Sequence, residues 1–561
     1  MNQSRAVKKR VEQLILIYRV TDEAKYLAAL RKEITDVAKW GNYWKSNQYI
    51  DTAEVAYAVS LGYSYLYGAL TPAQKCVIEN RLLYAVLLYG LDAFSSMNTT
   101  FGNFNQVGHS GAGIAALTLI DSSSKGSIKV VNVDKGSHAI TIEYPVKTPD
   151  GETDVSIRYE SKLYPEKGDD SPAAKISDKA LYDILMAKYG NLTAGQTIPL
   201  RGLYSAVIAR TTDYLPKVLK SDNMYIDGTY PEGNNYFLYG MSYFGYYLAT
   251  LNNTLHKDYS MLNFQNNKYM SRYILNNIVL NPIYLSNANG SNSGNYAYGD
   301  GSYDTRERGD DLFYFANISA EKNGYVDSAK AVYDFRKRTA PAFWAFHNIM
   351  AYNEGYDAKD ELVDYEEILD KAYYRNEEIT KTNNVNRLGI SAFRNTYTDP
   401  NGIYVAMKGG YTGDNHTHLD LGSYIYDAMG TRWIVEAGSQ YDGTKYHDKD
   451  YLRWQYYVAR AEAHSTMVIN APGRVQKNLD GTALKYGTVL AADQWKEARA
   501  TFEKFESSKE SNFSMVDLTN AYNRVNNDDP DDAENKQIDY GSSSKISVMR
   551  GLKFYNHKKM C

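Results

Sequence analysis

Apolar residues recur at intervals of three and four up to about Tyr374 and then alternate with period two. This change of period constrains the fold most, because a helix-period pattern does not settle as a strand. Val55, Val59, Tyr63 and Leu66 mark one helical stripe, and Ile78, Leu82, Ala85 and Tyr89 another. Between them Thr71-Pro72-Ala73-Gln74 reads as a helix start: a Thr cap, Pro at the first helical position, and Gln three residues on to close a capping box. The first 120 residues or so therefore read as hairpins of helices. Between about 122 and 200 the alternating, β-branched segments Ser127–Val133, Ala139–Tyr144 and Val155–Tyr159, with a turn at Pro149-Asp150-Gly151, predict a small β insertion. Helical spacing resumes at Leu203–Leu219. From about 388 the segments Gly389–Arg394, Ile403–Lys408, Ser423–Ala428, Arg432–Glu436 and Ser465–Asn470 read as strands, with a turn at Asp399-Pro400-Asn401-Gly402. Many helices followed by many strands is the order of an α+β multidomain chain, not of an alternating parallel sheet.

Composition narrows the function classes. Lys and Arg number 62 against 66 Asp and Glu, with no concentrated basic face in the sequence, so nucleic acid is not expected as a partner. Cys76 and Cys561 are the two cysteines, too few for a disulfide framework or a Cys-rich zinc knuckle. The apolar run Leu82–Leu91 falls short of the roughly 20 residues of a spanning helix, so no membrane partner is expected. The opening MNQSRAVKKRVEQL is basic but lacks an apolar run and a cleavage site, the pattern of a chain without a signal peptide or one already trimmed. There are 53 Tyr against 16 Phe and 6 Trp. A ring with a polar edge suits clefts that hold hydroxylated ligands, and compositional bias explains the excess equally well. The long Asn/Gly/Ser/Tyr-rich loop Ser286–Ser302 is of a length usually tied to function, whereas the acidic stretch Asn526–Asn535 reads as a solvated loop.

Three polar clusters carry candidate chemistry. Gly413–Asp420 holds His416, His418 and Asp420, which project to one side if the backbone is extended. Downstream, Arg432, Ile434 and Glu436 share one face of an expected strand, and His464 opens another. Two imidazoles and a carboxylate make a reasonable Zn²⁺ set, and surface histidines without metal are the alternative. Asp227–Asn235 leads into a helix with Tyr236, Tyr239, Tyr243 and Tyr246 at helical spacing. Those phenols fit either a packed core face or a proton-transfer residue. Gly102–His109, containing Asn105 and Gln106, opens another helix; its amides can bind an anionic oxygen without titrating.

The identity and order of these motifs resemble the heparinase II/III-like polysaccharide lyases and their oligo-alginate lyase relatives. The motifs are Asn103-x-Asn105-Gln106, then DGTYPEG from Asp227 with Tyr236 and Tyr239, then NHTHLDLGSYIYDAMGTRW from Asn415 and AHSTMVIN from Ala463. The resemblance spans roughly residues 10–120 and 200–475. It implies an incomplete α/α toroid over 1–385, with the β-rich insertion at about 122–200, followed by an antiparallel β-sandwich over 386–561 that is incomplete at its end, with the active site in the cleft between them. It implies β-elimination on a uronic-acid-containing polysaccharide, of glycosaminoglycan or alginate type, in a periplasmic or secreted setting. Residue by residue, Asn105 and Gln106 fall where the family neutralises the uronate, Tyr236 or Tyr239 where it places the Tyr acid/base, and His416 where it places the β-domain histidine. His418, Glu436 and His464 fall where some members bind a structural zinc, usually with Asp at the position of Glu436. Gln106 stands where a histidine often sits, which brings His109 forward as a substituting substrate contact. Arg460 is a plausible carboxylate or sulfate contact, or a surface ion pair; Arg306 and Arg308 are further candidates for steering anionic chains.

Two other readings stay open. A glycoside hydrolase on a similar toroid needs two opposed carboxylates, and Asp227 with Glu232 is the conspicuous pair. A glycan-binding protein with a degenerate lyase cleft is the other, with Gln106 as its lesion.

Overall fold

The computed structural model describes residues 2–40, 44, 49–88, 90–91, 102–122, 126–147, 153–160, 180–219, 230, 232–256, 274–288, 294–301, 312–339, 346–358, 362–376, 388–439, 446, 452–470, 476–477, 483–484, 491–492, 494, 497–522, 547–555 and 559–560. Outside them lie Tyr89, the Pro149–Gly151 turn, Asp227, Arg306, Arg308, the stretch Asn526–Asn535 and Cys561. The chain is α+β, with helices in the earlier part and antiparallel sheets concentrated in the later part. It divides into two compact units. One comprises Met1–Asn223, Tyr239–Met270 and Trp344–Tyr352, the other Met224–Leu238, Ser271–Phe343 and Asn353–Cys561.

In the first unit, Thr71 caps the helix Pro72–Arg81: its hydroxyl accepts from the Gln74 N–H at 3.2 Å while the Gln74 side chain accepts from the Thr71 N–H at 3.0 Å. The chain continues through a π-helical stretch, Leu82–Leu88. Its residues LLYAVLL are apolar on nearly every side, so widening the turn leaves burial intact. The stripe Val55, Val59, Tyr63 and Leu66 is buried on the helix Ile50–Leu66, and so are Ala53, Glu54, Tyr57 and Ser60 on its other faces. The helix is enclosed rather than half-exposed. It packs on the helices Asn2–Thr21 and Gly102–Ser122, and a Cβ at Gly111 would lie 2.5 Å from the Ala53 Cα. That close crossing is why a helix of this length tolerates glycine. The β insertion forms a four-stranded antiparallel sheet, ordered Thr153–Glu160, Ala139–Lys147, Ser127–Asp134, Thr197–Pro199. The last of these strands passes directly into the helix Leu200–Tyr214.

In the second unit the main sheet runs in the order Lys559–Met560, Met549–Tyr555, Ser511–Asp517, Arg499–Ser507, Tyr404–Tyr411, Leu388–Arg394, Ala372–Asn376. The strand Tyr424–Ala428 also pairs with Tyr404–Tyr411, and Thr431–Ile434 with Tyr424–Ala428. Every pairing is antiparallel. A core of Phe393, Val405, Met407, Leu421, Val516 and Phe554 lies against it. Two expected strands are shorter than read. Arg432–Glu436 ends at Ile434, leaving Glu436 beyond it, and Ser465–Asn470 is reduced to Ile469–Asn470. His464 opens no strand and instead closes the 3₁₀ turn Ala461–Ala463.

The helices between 274 and 339 fall in the same compact unit as the sheet. Arg394, buried on the strand Leu388–Arg394, donates to the carbonyls of Tyr284 at 2.6 Å and Ser286 at 2.9 Å, and thereby closes the end of the helix Ile274–Tyr284. The hydroxyls of Tyr373 and Tyr404 add bonds of 3.0 Å each to Asn281 and the Tyr284 carbonyl.

Replacing the cap residue, Thr71→Ala, is expected to lower stability by about 1 kcal/mol, read as a lower urea midpoint at unchanged slope.

Candidate active site

Residues 412–420 are irregular, not extended, so the expectation that His416, His418 and Asp420 project to one side by strand alternation does not hold. His416 has φ +60°, a left-handed conformation uncommon for a residue with a Cβ. Its carbonyl accepts from the Asp300 N–H at 2.8 Å. The two imidazoles converge nonetheless, from different directions, on one carboxylate: His416 Nδ1 lies 2.9 Å from Asp300 Oδ2, and His418 Nε2 lies 2.9 Å from Asp300 Oδ1. Tyr446 donates its hydroxyl to the same Oδ1 at 2.6 Å and Arg453 donates at 2.7 Å. Burial alone would raise the Asp300 carboxyl, but hydrogen bonds from His416 and His418 and the charge of Arg453 outweigh it and hold the group well below the usual carboxylate range. Asp420 points elsewhere, into a buried ion pair with Lys408, and its second oxygen accepts from the Gly299 N–H at 3.0 Å.

The ring of Tyr236 stacks on His416, with centroids 3.7 Å apart and planes within 12°. Tyr236 is near the start of the helix Asn234–Leu255, which follows the tight segment Glu232-Gly233. Glu232 is buried and takes hydrogen bonds from Tyr230 at 3.0 Å and from Asn415, next to His416, at 3.3 Å. This carboxylate ties the two halves of the aromatic stack to each other. Its expected hydrolase partner, Asp227, lies outside the described residues.

Of the three expected zinc ligands, Glu436 accepts from His464 Nδ1, and the rings of His418 and His464 have centroids 5.2 Å apart. Each of the three keeps one buried atom without a hydrogen-bond partner: His418 Nδ1, Glu436 Oε1 and His464 Nε2. Burial pushes His418 down to about 4, so it is neutral near pH 7. Among the described residues no three His, Cys, Asp or Glu side chains are grouped closely enough, as they stand, to hold a metal ion. Arg460 is mostly buried and pairs with Glu462 at 2.8 Å.

The remaining candidates lie in the first unit. Asn105, Gln106 and His109 are fully buried on the helix Gly102–Ser122. Asn105 Nδ2 donates to the Tyr214 carbonyl at 3.3 Å, and its Oδ1 is buried without a partner. Gln106 Nε2 lies 3.1 Å from the Met241 sulfur, over Gly240, where any Cβ would collide with the Gln106 amide. His109 donates Nδ1–H to the Asn105 carbonyl at 2.9 Å and stacks on Tyr214, so it is not on an exposed helix face. Tyr239 donates to Glu54 and lies under Arg5; burial, and then the Glu54 charge, push its hydroxyl well above 10.

Asp300, Tyr446 and Arg453 escape the sequence reading. The available signal for Asp300 was its place between two glycines at the end of the long loop Ser286–Ser302; for Tyr446 and Arg453 no spacing distinguishes them.

No protein-family model matches the sequence, and no curated protein matches it. Among solved structures the chain is similar to heparinase III, with a TM-score of 0.47 and 10% identity over 97% of this chain and 60% of that one. It is also similar to heparan sulfate lyase HepC from Pedobacter heparinus (TM-score 0.43, 11% identity, 98% and 60%) and to the heparinase III BT4657 gene product (0.46, 9%, 98% and 62%). The chain spans about 60% of the length of these structures. Among the described residues no helix is long and apolar enough to cross a membrane.

Lys408 and Asp420 are both fully buried, so breaking the pair from one side strands a charge. Lys408→Met is expected to cost about 3–5 kcal/mol by urea denaturation, and adding Asp420→Asn to recover a large part of it.

Proposed function

We propose that the chain is a polysaccharide lyase that cleaves a uronic-acid-containing polysaccharide by β-elimination, leaving a 4,5-unsaturated uronate end. The observation that carries this reading is the stacked pair Tyr236–His416 backed by the buried Asp300. A phenol and an imidazole in contact are suited to moving one proton off a carbon and another onto a leaving oxygen. The C5 hydrogen of a uronate becomes removable only when its carboxylate is neutralised, because charge then spreads into an enolate-like state. Asn105 and Gln106 are the amides proposed for that neutralising role, with His109 and Arg460 as further substrate contacts, on the strength of the motif resemblance. Tyr236 is favoured over Tyr239 as the acid/base because Tyr239 donates into the carboxylate of Glu54, which holds its proton on. The helical part is proposed to be an incomplete α/α toroid and the sheet part a β-sandwich, in a periplasmic or secreted enzyme.

His418, Glu436 and His464 are proposed to hold a structural zinc. The donor types suit the ion, and the three buried, unpartnered atoms, His418 Nδ1, Glu436 Oε1 and His464 Nε2, support it, while Glu436 Oε2 stays on His464 Nδ1. The ion would order these loops, and the proton transfers belong to the side chains above.

The test is incubation with heparan sulfate, hyaluronan, chondroitin, alginate and pectic uronans while absorbance near 235 nm is followed. The expected outcome is rising absorbance on at least one of them, lost by about 100-fold or more in Tyr236→Phe and largely kept in Tyr239→Phe. The reverse pattern would move the acid/base to Tyr239. New reducing ends without absorbance would mean hydrolysis, and binding without either would mean a non-catalytic glycan-binding protein. For the metal, the expectation is about one zinc per chain after purification without chelator, reduced in His464→Ala; fewer than about 0.2 per chain would remove the assignment.

A further inference from the structure

We propose that Asp300 is the positioning residue of this site: through its two oxygens it decides which ring nitrogen carries the proton on both His416 and His418. The inference deepens the lyase reading and rests on it for its catalytic meaning, but the proton placement stands on geometry alone. An ionised carboxylate only accepts hydrogen bonds. Asp300 is buried with the Arg453 guanidinium donating to it at 2.7 Å, so its oxygens act as acceptors and a ring nitrogen 2.9 Å from either of them brings the proton; the Tyr446 hydroxyl, whose own proton goes to Oδ1, lies 2.9 Å from His418 Nε2 as a second acceptor. His416 therefore carries its proton on Nδ1 and His418 on Nε2. In neutral His416 this leaves the lone pair on Nε2, the atom at the far edge of the ring from Asp300, and makes that atom the proton acceptor of the Tyr236–His416 pair. In His418 it leaves the lone pair on Nδ1, the atom found buried without a partner.

Three features hold Asp300 to this task. Its backbone N–H is bonded to the carbonyl of His416, so carboxylate and imidazole are fixed to one another through main chain as well as side chain. The neighbouring Gly299 N–H is bonded to Asp420, and a Cβ at Gly299 would lie 2.4 Å from the His416 carbonyl oxygen, so the loop approaches as closely as glycine permits. Tyr446 and Arg453 occupy Oδ1 from other directions, which prevents the carboxylate from rotating away from His416.

The test uses the full chain labelled with ¹⁵N-histidine at about pH 8, where an ordinary histidine is neutral. His416→Gln assigns the His416 signals by their loss. The expected result in the unaltered chain is a protonated Nδ1 and an unprotonated Nε2 for His416. Asp300→Asn, whose amide can both donate and accept, is expected to mix the two tautomers and to lower kcat at 235 nm by about 10–100-fold with KM changed much less, and Asp300→Glu to restore the single tautomer. A proton on Nε2 of His416 in the unaltered chain overturns the proposal, and that measurement needs no folded Asp300 variant. An unchanged tautomer in a folded Asp300→Asn overturns it as well. If the tautomer is as expected but no uronan is cleaved, the lyase reading fails while the role of Asp300 in placing the protons stands.

Discussion

An ionised carboxylate removed from water must be matched almost completely by donors, since an unpaired buried charge costs several kcal/mol. Asp300 imposes that demand on the second unit. The groups that meet it come from His416, His418, Tyr446 and Arg453, none of which lies on a strand or an α-helix. Backbone amides complete the arrangement: Asp300 N–H on the His416 carbonyl, and Gly299 N–H on Asp420, itself neutralised by Lys408. The loops around the aromatic stack are thus ordered by charge matching more than by apolar packing. The left-handed backbone at His416, a conformation that costs about 1 kcal/mol or more, is held by the same contacts.

The abundance of tyrosine takes on a physical meaning along the helix Asn234–Leu255. Tyr236, Tyr239, Tyr243 and Tyr246 share helical spacing, yet three of the rings have different partners. Tyr236 lies flat on His416; Tyr239 donates to Glu54; Tyr246 accepts from Lys8 at 2.8 Å and stacks on His347, which bonds Glu12 at 2.8 Å. Phenylalanine would fill the same volume but remove one hydrogen bond each from Glu54, which keeps Ser4 and Arg5, and from Lys8, which keeps Glu12. Buried rings with a polar edge let the first unit place carboxylates between helices without stranding them.

Much of this was legible in the sequence. The Thr71 capping box, the strands at 127–133 and 139–144, and the switch from helices to strands are local matters of spacing and turn chemistry, and they appear where the spacing puts them. Tyr236 and His416, 180 positions apart, stack on one another, and no periodicity relates them; only the family resemblance implied that they share a site. What was missed depends on tertiary burial. The stripe on Ile50–Leu66 gave no sign that its opposite face is also enclosed, and Asp300 looked like loop composition until two imidazoles, a phenol and a guanidinium closed around it. The extended geometry assumed for His416–Asp420 failed: the segment lies outside any strand ladder and is bonded to distant residues through main chain, at Asp300 and Ala459, as well as through side chains.

Arg394 carries one more consequence. Its guanidinium completes a helix that ends about 110 positions earlier in the chain, so that helix acquires its last partners only after the strand Leu388–Arg394 has taken its place. Dissecting the molecule at the apparent border between helical and sheet regions would therefore not release two self-sufficient pieces. The helical fragment would keep a frayed, solvent-seeking end at Tyr284, and the sheet fragment would expose a cation shaped to grip something no longer covalently attached.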